Sequence, residues 1–292
     1  MKGFISYHPL SLFIYFLLVM LITMFIRVPV ILISSIIGGV AYNLSSFKYH
    51  SIKRIFFYIG LFVIISFINP IFSHRGSTIL FFLNNNPVTL EAYVYGINIA
   101  LMLIAVLIWG NACTWTMTSD KYLFLFGRLT PSLSLVLSMA LRYIPLLRHQ
   151  ATKVNNTQIA LGLYSKNNYI DKAKDRMRVY SIILTWSMEN AIDTSDSMRA
   201  RGYGMGKRTQ FTMYKMSINN WLFIFLCILL SGTTFSGYFM GFVKFEFYPQ
   251  LNAVPFSATL FIIYLSYGLL VLLPFLLEMK VKINWIFYKL RN

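Results

Sequence analysis

Six apolar stretches of this chain are long enough to cross a lipid bilayer, and one long polar, basic stretch separates the fourth from the fifth. A spanning helix needs about 20 mostly apolar residues, since each advances it by about 1.5 Å across a hydrocarbon layer about 30 Å thick. The candidates are Leu10 to Ile26, Val28 to Leu44, Ile55 to Phe72, Ala92 to Thr116, Ile218 to Met240 and Phe256 to Leu277. The second is the weakest of them. It is short, holds Gly38 and Gly39, and is separated from the first only by Arg27. Pro29 suits its first turn, where the missing N–H would have had no helical partner.

The charges agree with this reading. Only 12% of the 292 residues are charged, against about a quarter in ordinary globular domains. Lys and Arg total 26 and Asp and Glu 9. With Lys2 on the cytoplasmic side, 23 of the 26 basic residues fall on that side, and only Arg27, Arg75 and Lys244 on the other. Cytoplasmic loops are the basic ones, so six spans with both termini inside are expected. An excess that obeys this rule calls for no nucleic-acid partner, and no RNA- or DNA-binding module is visible. The first apolar stretch has no small-residue cleavage site after it and is followed at once by another, which favours an anchor over a removed signal peptide. Tyr7, Trp285 and Tyr288 fall at interface depths, where amphipathic rings collect.

Soluble function must then lie in the middle, and the chain divides into residues 1–120, 121–216 and 217–292. Lys121 to Lys215 carries 15 basic residues and 5 acidic ones. Leu133, Leu137, Leu141, Ile144 and Leu147 recur at helical period, as do Val179, Ile182, Ile183, Trp186 and Met188. Two long amphipathic helices are expected, with the polar stretch Lys153 to Lys174 between them and Asn155, Asn156, Asn167 and Asn168 as breakers. Ala160-Leu161-Gly162 closes the first helix and Ala200-Arg201-Gly202 the second. A glycine just past a helix accepts the left-handed conformation that ends it, so both glycines are expected to be plain C-caps whatever else they do.

Arg199 and Arg201 are the sharpest candidates for recognition. Arginine at a helix C-terminus is favoured by the helix dipole. Held between small residues, its planar fork can also enter a groove and pair bidentately with a carboxylate. Arg201 suits this better than Arg199, because it lies between Ala200 and Gly202. Asp193 and Asp196 offer a competing chemistry. Carboxylates three apart on a helix share a face and can hold a divalent cation on a diphosphate. With Ala200-Arg201 they are similar to the opening of the CDP-alcohol phosphotransferase signature, which makes a membrane enzyme acting on a phosphorylated lipid the alternative reading. That signature continues with further aspartates, whereas Asp196 is the last here and only Glu246 and Glu278 follow.

No catalytic residue, metal site or cofactor is otherwise expected. Gly202 to Lys207 lacks the spacing and the Ser/Thr of a phosphate loop. His8, His50, His74 and His149 are scattered, and Cys113 and Cys227 read as small buried hydrophobes in apolar segments. Within the spans the polar residues are Asn69, Asn98 and Asn111, with Glu91 and Glu278 at the edges. A self-contained transporter would hold more charge in the membrane.

Four segments together resemble the transmembrane T component of energy-coupling factor (ECF) transporters, a group that includes the cobalt-type T subunits. Tyr7-His-Pro-Leu10 resembles that family's opening, and Asn69-Pro-Ile-Phe-Ser-His-Arg-Gly76 its Asn-Pro-hydrophobic-Phe-Ser-His-Arg-Gly segment. Met139 to Leu147 resembles the approach to its first coupling helix, and Met198 to Gly204 the end of its second. The resemblance implies an all-α polytopic membrane protein with two long cytoplasmic coupling helices, in a bacterial plasma membrane. It also implies that the chain is not itself an enzyme. Its partners would be two ABC ATPase subunits, which bind and hydrolyse ATP, and a small membrane S component that binds a vitamin or transition metal ion. Each coupling helix in that family carries an Ala-Arg-Gly triplet that docks in an ATPase groove. The second triplet is intact here as Ala200, Arg201 and Gly202; in the first, Ala160 and Gly162 flank Leu161 where the family has arginine.

Overall fold

The computed structural model describes residues 3–46, 48–72, 76–83, 86–127, 130–163, 169–206, 214–243, 245, 247, 248 and 257–291. The chain forms two compact units: residues 1–121 with 214–292, and residues 122–213. Helix α5 (Ser119–Gly127) crosses the first boundary.

In the first unit the expected stretches are helices: α1 (Pro9–Phe25), α2 (Pro29–Ser46), α3 (Lys48–Phe72), α4 (Leu90–Thr116), α8 (Ile218–Phe239) and α9 (Ala258–Arg291). By length and composition α2, α4, α8 and the Ala258–Phe287 part of α9 are long and apolar enough to span a membrane. Pro9–Phe25 and Phe56–Phe72 are apolar but shorter. The 17 residues of α1 give about 26 Å, a mismatch that a bilayer absorbs by local thinning. Pro29 begins α2, as its fixed φ favours. Phe256 lies outside the described residues.

Between α3 and α4 stands a feature absent from the sequence reading. Strands β1 (Ile79–Leu83) and β2 (Asn86–Thr89) form an antiparallel hairpin. Thr89 then N-caps α4, its hydroxyl accepting the Ala92 N–H at 3.3 Å.

The weakest-looking span is packed between two others. Helix α2 packs on α9 and on α4, and Gly38 and Gly39 face one each. A methyl on Gly38 would run into Val271 of α9, and one on Gly39 would stand 2.7 Å from Cγ2 of Ile108 in α4. Polar bonds follow the same seam. Trp109 Nε1 donates to the hydroxyl of Ser35 at 3.0 Å, and Asn43 Nδ2 donates to the carbonyl of Ile108 at 3.4 Å. Small residues that let backbones approach, with polar side chains bonding across, are the usual means of helix association in lipid.

Asn69 and Gly76, the two ends of a sequence motif, both bear on the corner between α3 and α4. Asn69 Nδ2 donates to the carbonyl of Ala92 at 2.9 Å. Gly96 lets α3 close in, because a Cβ there would lie 2.8 Å from the carbonyl oxygen of Ser66. Glu91, 2% exposed, accepts from the hydroxyls of Ser77 at 3.0 Å and Thr78 at 2.9 Å. It also accepts from their backbone N–H groups at 3.3 Å and 3.1 Å. Gly76 is pressed against the same carboxylate. Ser73, His74 and Arg75 lie outside the described residues.

Candidate functional site

The second unit is built on two long helices, α6 (Pro131–Ala160) and α7 (Tyr169–Ala200). The first half of α6 lies against the last part of α7, where the Tyr143 and Thr194 hydroxyls meet at 2.9 Å. A groove of about 660 Å³ between them is lined by Leu135, Met139, Tyr143, Met198, Arg199 and Tyr203, among others. The face α6 turns to its neighbour is therefore Leu135, Met139 and Tyr143, and not the expected stripe. Leu133, Leu137 and Ile144 of that stripe are 62%, 47% and 51% exposed. Helical period located an apolar face correctly but could not say what covers it. The polar stretch also begins later than expected: Asn155 and Asn156 are helical within α6, where fixed hydrogen bonds outweigh asparagine's weak preference for turns. Asn167 and Asn168 lie outside the described residues.

Both helices end in the same way. At the end of α6 the Leu163 N–H donates to the carbonyl of Gln158 at 3.2 Å, and the Gly162 N–H to that of Ile159 at 3.0 Å. At the end of α7 the Tyr203 N–H donates to the carbonyl of Met198 at 3.0 Å, and the Gly202 N–H to that of Arg199 at 2.9 Å. Gly162 has φ 68° and Gly202 φ 77°, the left-handed region that glycine enters without a Cβ clash. This is the Schellman ending, which satisfies carbonyls that a terminating helix leaves open. It is not peculiar to this unit: α8 ends likewise, with Gly241 at φ 79° and the Phe242 N–H on the carbonyl of Gly237 at 3.1 Å. The expectation that both glycines act as C-caps is met.

What distinguishes the endings is the residue just before each glycine. Leu161 is 65% exposed, and Arg201 is exposed beside exposed Ala200. Arg199 is exposed as well but lines the groove, which Arg201 does not. Ala160 is the last residue of α6, as Ala200 is of α7. The two endings are far apart. The α7 ending lies beside Met139, and from Met139 to Ala160 the helix α6 runs roughly 30 Å.

Asp193 and Asp196 are exposed one turn apart on α7. Among the described residues no three His, Cys, Asp or Glu side chains come together to hold a metal ion. Lys207 and Arg208 lie outside the described residues. In the first unit the polar residues of the spans are taken up in packing: Asn98 Nδ2 donates to the carbonyl of Arg27 at 2.8 Å and Asn111 Nδ2 to Oδ1 of Asn43 at 3.2 Å. Glu278 accepts the Phe4 N–H at 3.1 Å. Cys113 and Cys227 are not joined in a disulfide, and Cys227 is buried.

A polytopic helical bundle joined to a two-helix basic unit matches a known family model, described as cobalt transport protein, over residues 7–213. The chain belongs to the CbiQ family. The matched residues take in both helix endings and stop where the second unit stops. Curated relatives carry the name energy-coupling factor transporter transmembrane protein EcfT. One from Streptococcus equi is 26% identical over 197 residues, 63% of this chain and 72% of the relative. One from Bacillus selenitireducens is 22% identical over 196 residues, 63% of this chain and 73% of the relative. One from Lactobacillus helveticus is 31% identical over 124 residues, 42% of this chain and 44% of the relative. The resemblance to T components of ECF transporters is borne out, and with it an integral membrane transport protein.

The sequence reading missed the residues that hold the N-terminal segment: Phe4 in a 3-10 turn (Phe4–Ser6), His8, and Lys121. A short turn ahead of a proline has no period to detect. Only the aromatic density of the first residues hinted at it.

Proposed function

We propose that this chain is the T subunit of a bacterial ECF-type importer for a vitamin or a transition metal ion. It joins two ABC ATPase subunits to a small membrane S component that holds the substrate, with both its termini in the cytoplasm. The observation that carries this reading is the pair of matched helix endings roughly 30 Å apart at the two ends of α6. That spacing suits two docking grooves on two separate subunits.

At the α7 ending, Arg201 enters one ATPase groove and pairs with a carboxylate, and Ala200 and Gly202 leave room for its fork. At the α6 ending, Ala160, Leu161 and Gly162 present an apolar knob to the other ATPase. Arg199, exposed at the rim of the groove between the helices, flanks the second ending and adds to its docking surface. The unlike residues favour two different ATPases over one used twice. ATP binding closes the ATPases on one another, the two endings move with them, and α6 and α7 carry that movement to the S component. Leu133, Leu137 and Ile144, exposed along α6, offer the apolar contact through which a very hydrophobic S component is engaged. The chain performs no chemistry and holds no nucleotide.

The test is to tag the protein in its native membrane, purify it in mild detergent and identify what accompanies it. Two P-loop ATPases and a small, very hydrophobic membrane protein are expected. Recovery of the chain alone, with metal-dependent turnover of a lipid phosphate, would overturn the reading.

A further inference from the structure

The residues that flank the second unit in sequence are held by one short segment of the first. Lys121, the last residue before the unit, is 5% exposed, and among the described residues no carboxylate lies within ion-pairing distance of it. Its ammonium instead donates to the carbonyl of Ile5 at 2.7 Å and to that of Thr116 at 2.8 Å. Thr116 is the last residue of α4, so the cation also sits at the negative end of a 27-residue helix dipole. A buried cation without an anion is retained only where charge-assisted bonds compensate its lost water. Removing the Ile5 carbonyl would leave Lys121 far less satisfied.

The segment that supplies this carbonyl is fixed on every side. Phe4 is fully buried, with the rings of Tyr15, Tyr42 and Phe223 at 5.5, 5.5 and 6.0 Å, all tilted edge to face. Its N–H is taken by Glu278 of α9 at 3.1 Å. Successive residues thus give an N–H to a carboxylate and a carbonyl to an ammonium. Tyr42 closes the ring, its hydroxyl meeting that of Thr116 at 2.9 Å. Two residues after the turn, His8 N-caps α1 by accepting the Leu10 N–H at 3.2 Å, and its ring stands edge to face with Tyr214 at 6.4 Å. Tyr214 is the first residue after the second unit.

From this we infer that the segment Gly3–His8 is a latch on both hinges of the coupling unit, with Lys121 as the positioning residue that buckles it. One element grips the chain where the unit leaves the bundle and where it returns. Movement of α6 and α7 therefore reaches the bundle through two pivots held in register, and loosening one loosens the other. The role in coupling rests on the T-subunit reading; the mechanical latch does not.

The test uses the full chain in lipid nanodiscs, with Cys113 and Cys227 replaced by alanine and spin labels at exposed Thr114 of α4 and Thr185 of α7. The distance distribution between the labels is read with and without the co-purified ATPases and ATP. The unaltered latch is expected to give one narrow population that ATP shifts as a whole. Lys121→Met, which keeps the stem and removes the donor, is expected to broaden it at least twofold and at least halve the ATP-driven shift, with ATPase recovery unchanged. An unchanged width and shift in Lys121→Met would overturn the latch. If that variant does not accumulate, Glu278→Gln weakens the grip on Phe4 while keeping the shape, and the same comparison decides. Should no ATPase be recovered with the unaltered chain, the T-subunit reading fails, while the width without nucleotide still judges the latch.

Discussion

Leu161 and Arg201 occupy the same position in two endings with the same hydrogen bonds: each is the last residue before a left-handed glycine that closes a long helix. The backbone treats them alike, so any difference in what they do lies in their side chains alone. One offers a flexible apolar tip and the other a planar fork of donors.

Arg201→Glu reverses the exposed charge that stands directly before the closing glycine of α7. If the fork pairs with a desolvated carboxylate, losing it costs about 2–5 kcal/mol, which is well over tenfold in affinity. Recovery of ATPase subunits with the tagged variant is expected to fall at least tenfold, with membrane insertion unchanged. Uptake and recovery equal to those of the parent would remove Arg201 from docking.

Leu161→Arg places the same fork at the α6 ending. The position is exposed and the cap is held by backbone bonds, so the helix is expected to keep its ending. ATPase recovery should match the parent or exceed it. A tenfold loss would mean that the partner groove at this end is built for leucine.

Glycines of two kinds should respond differently to a methyl. At Gly162 an added Cβ meets nothing within 4 Å, so Gly162→Ala costs only the left-handed conformation, about 1–2 kcal/mol. That loss should be confined to fraying at the end of α6. Gly38→Ala drives a methyl into Val271, and overpacking of this kind costs about 1–3 kcal/mol between helices far apart in sequence. Detergent thermal melts are expected to show a lower midpoint for Gly38→Ala and little change for Gly162→Ala.

Asp193→Ala with Asp196→Ala tests the phosphotransferase alternative. Both carboxylates are exposed on α7, where surface charges contribute little to stability. Uptake by the assembled complex is expected to stay within twofold of the parent. Complete loss of function, with α7 still helical by circular dichroism, would revive a metal-dependent role.

Much of this was legible in the residues, for reasons of scale. Spans such as Ala92 to Thr116 announce themselves because the bilayer demands length and apolarity in one run. The two helix endings were legible because Gly162 and Gly202 solve a backbone problem that other residues solve poorly. The hairpin from Ile79 to Thr89 was not, since an apolar run as short as Ile79 to Leu83 has too few residues for its period to tell a strand from other structure. Nor was the covered face of α6. Leu133 and Leu137 repeat at the right interval, but the face that meets α7 is set by Met139 and Tyr143, and period alone does not choose between neighbouring stripes. Lys121 was counted as one more cytoplasmic charge, because nothing local marks a lysine whose acceptor lies on Ile5.

The place of α2 has a consequence in time. It is made well before α9, yet the surface that Gly38 closes on belongs to Val271 of that helix. Until then its glycine-lined face, with Ser35 and Asn43 beside it, can rest only against α4 or lipid. Biogenesis of this protein therefore includes an interval in which an unfinished helix must be sheltered, and whatever inserts the chain must hold α2 until α9 has been made.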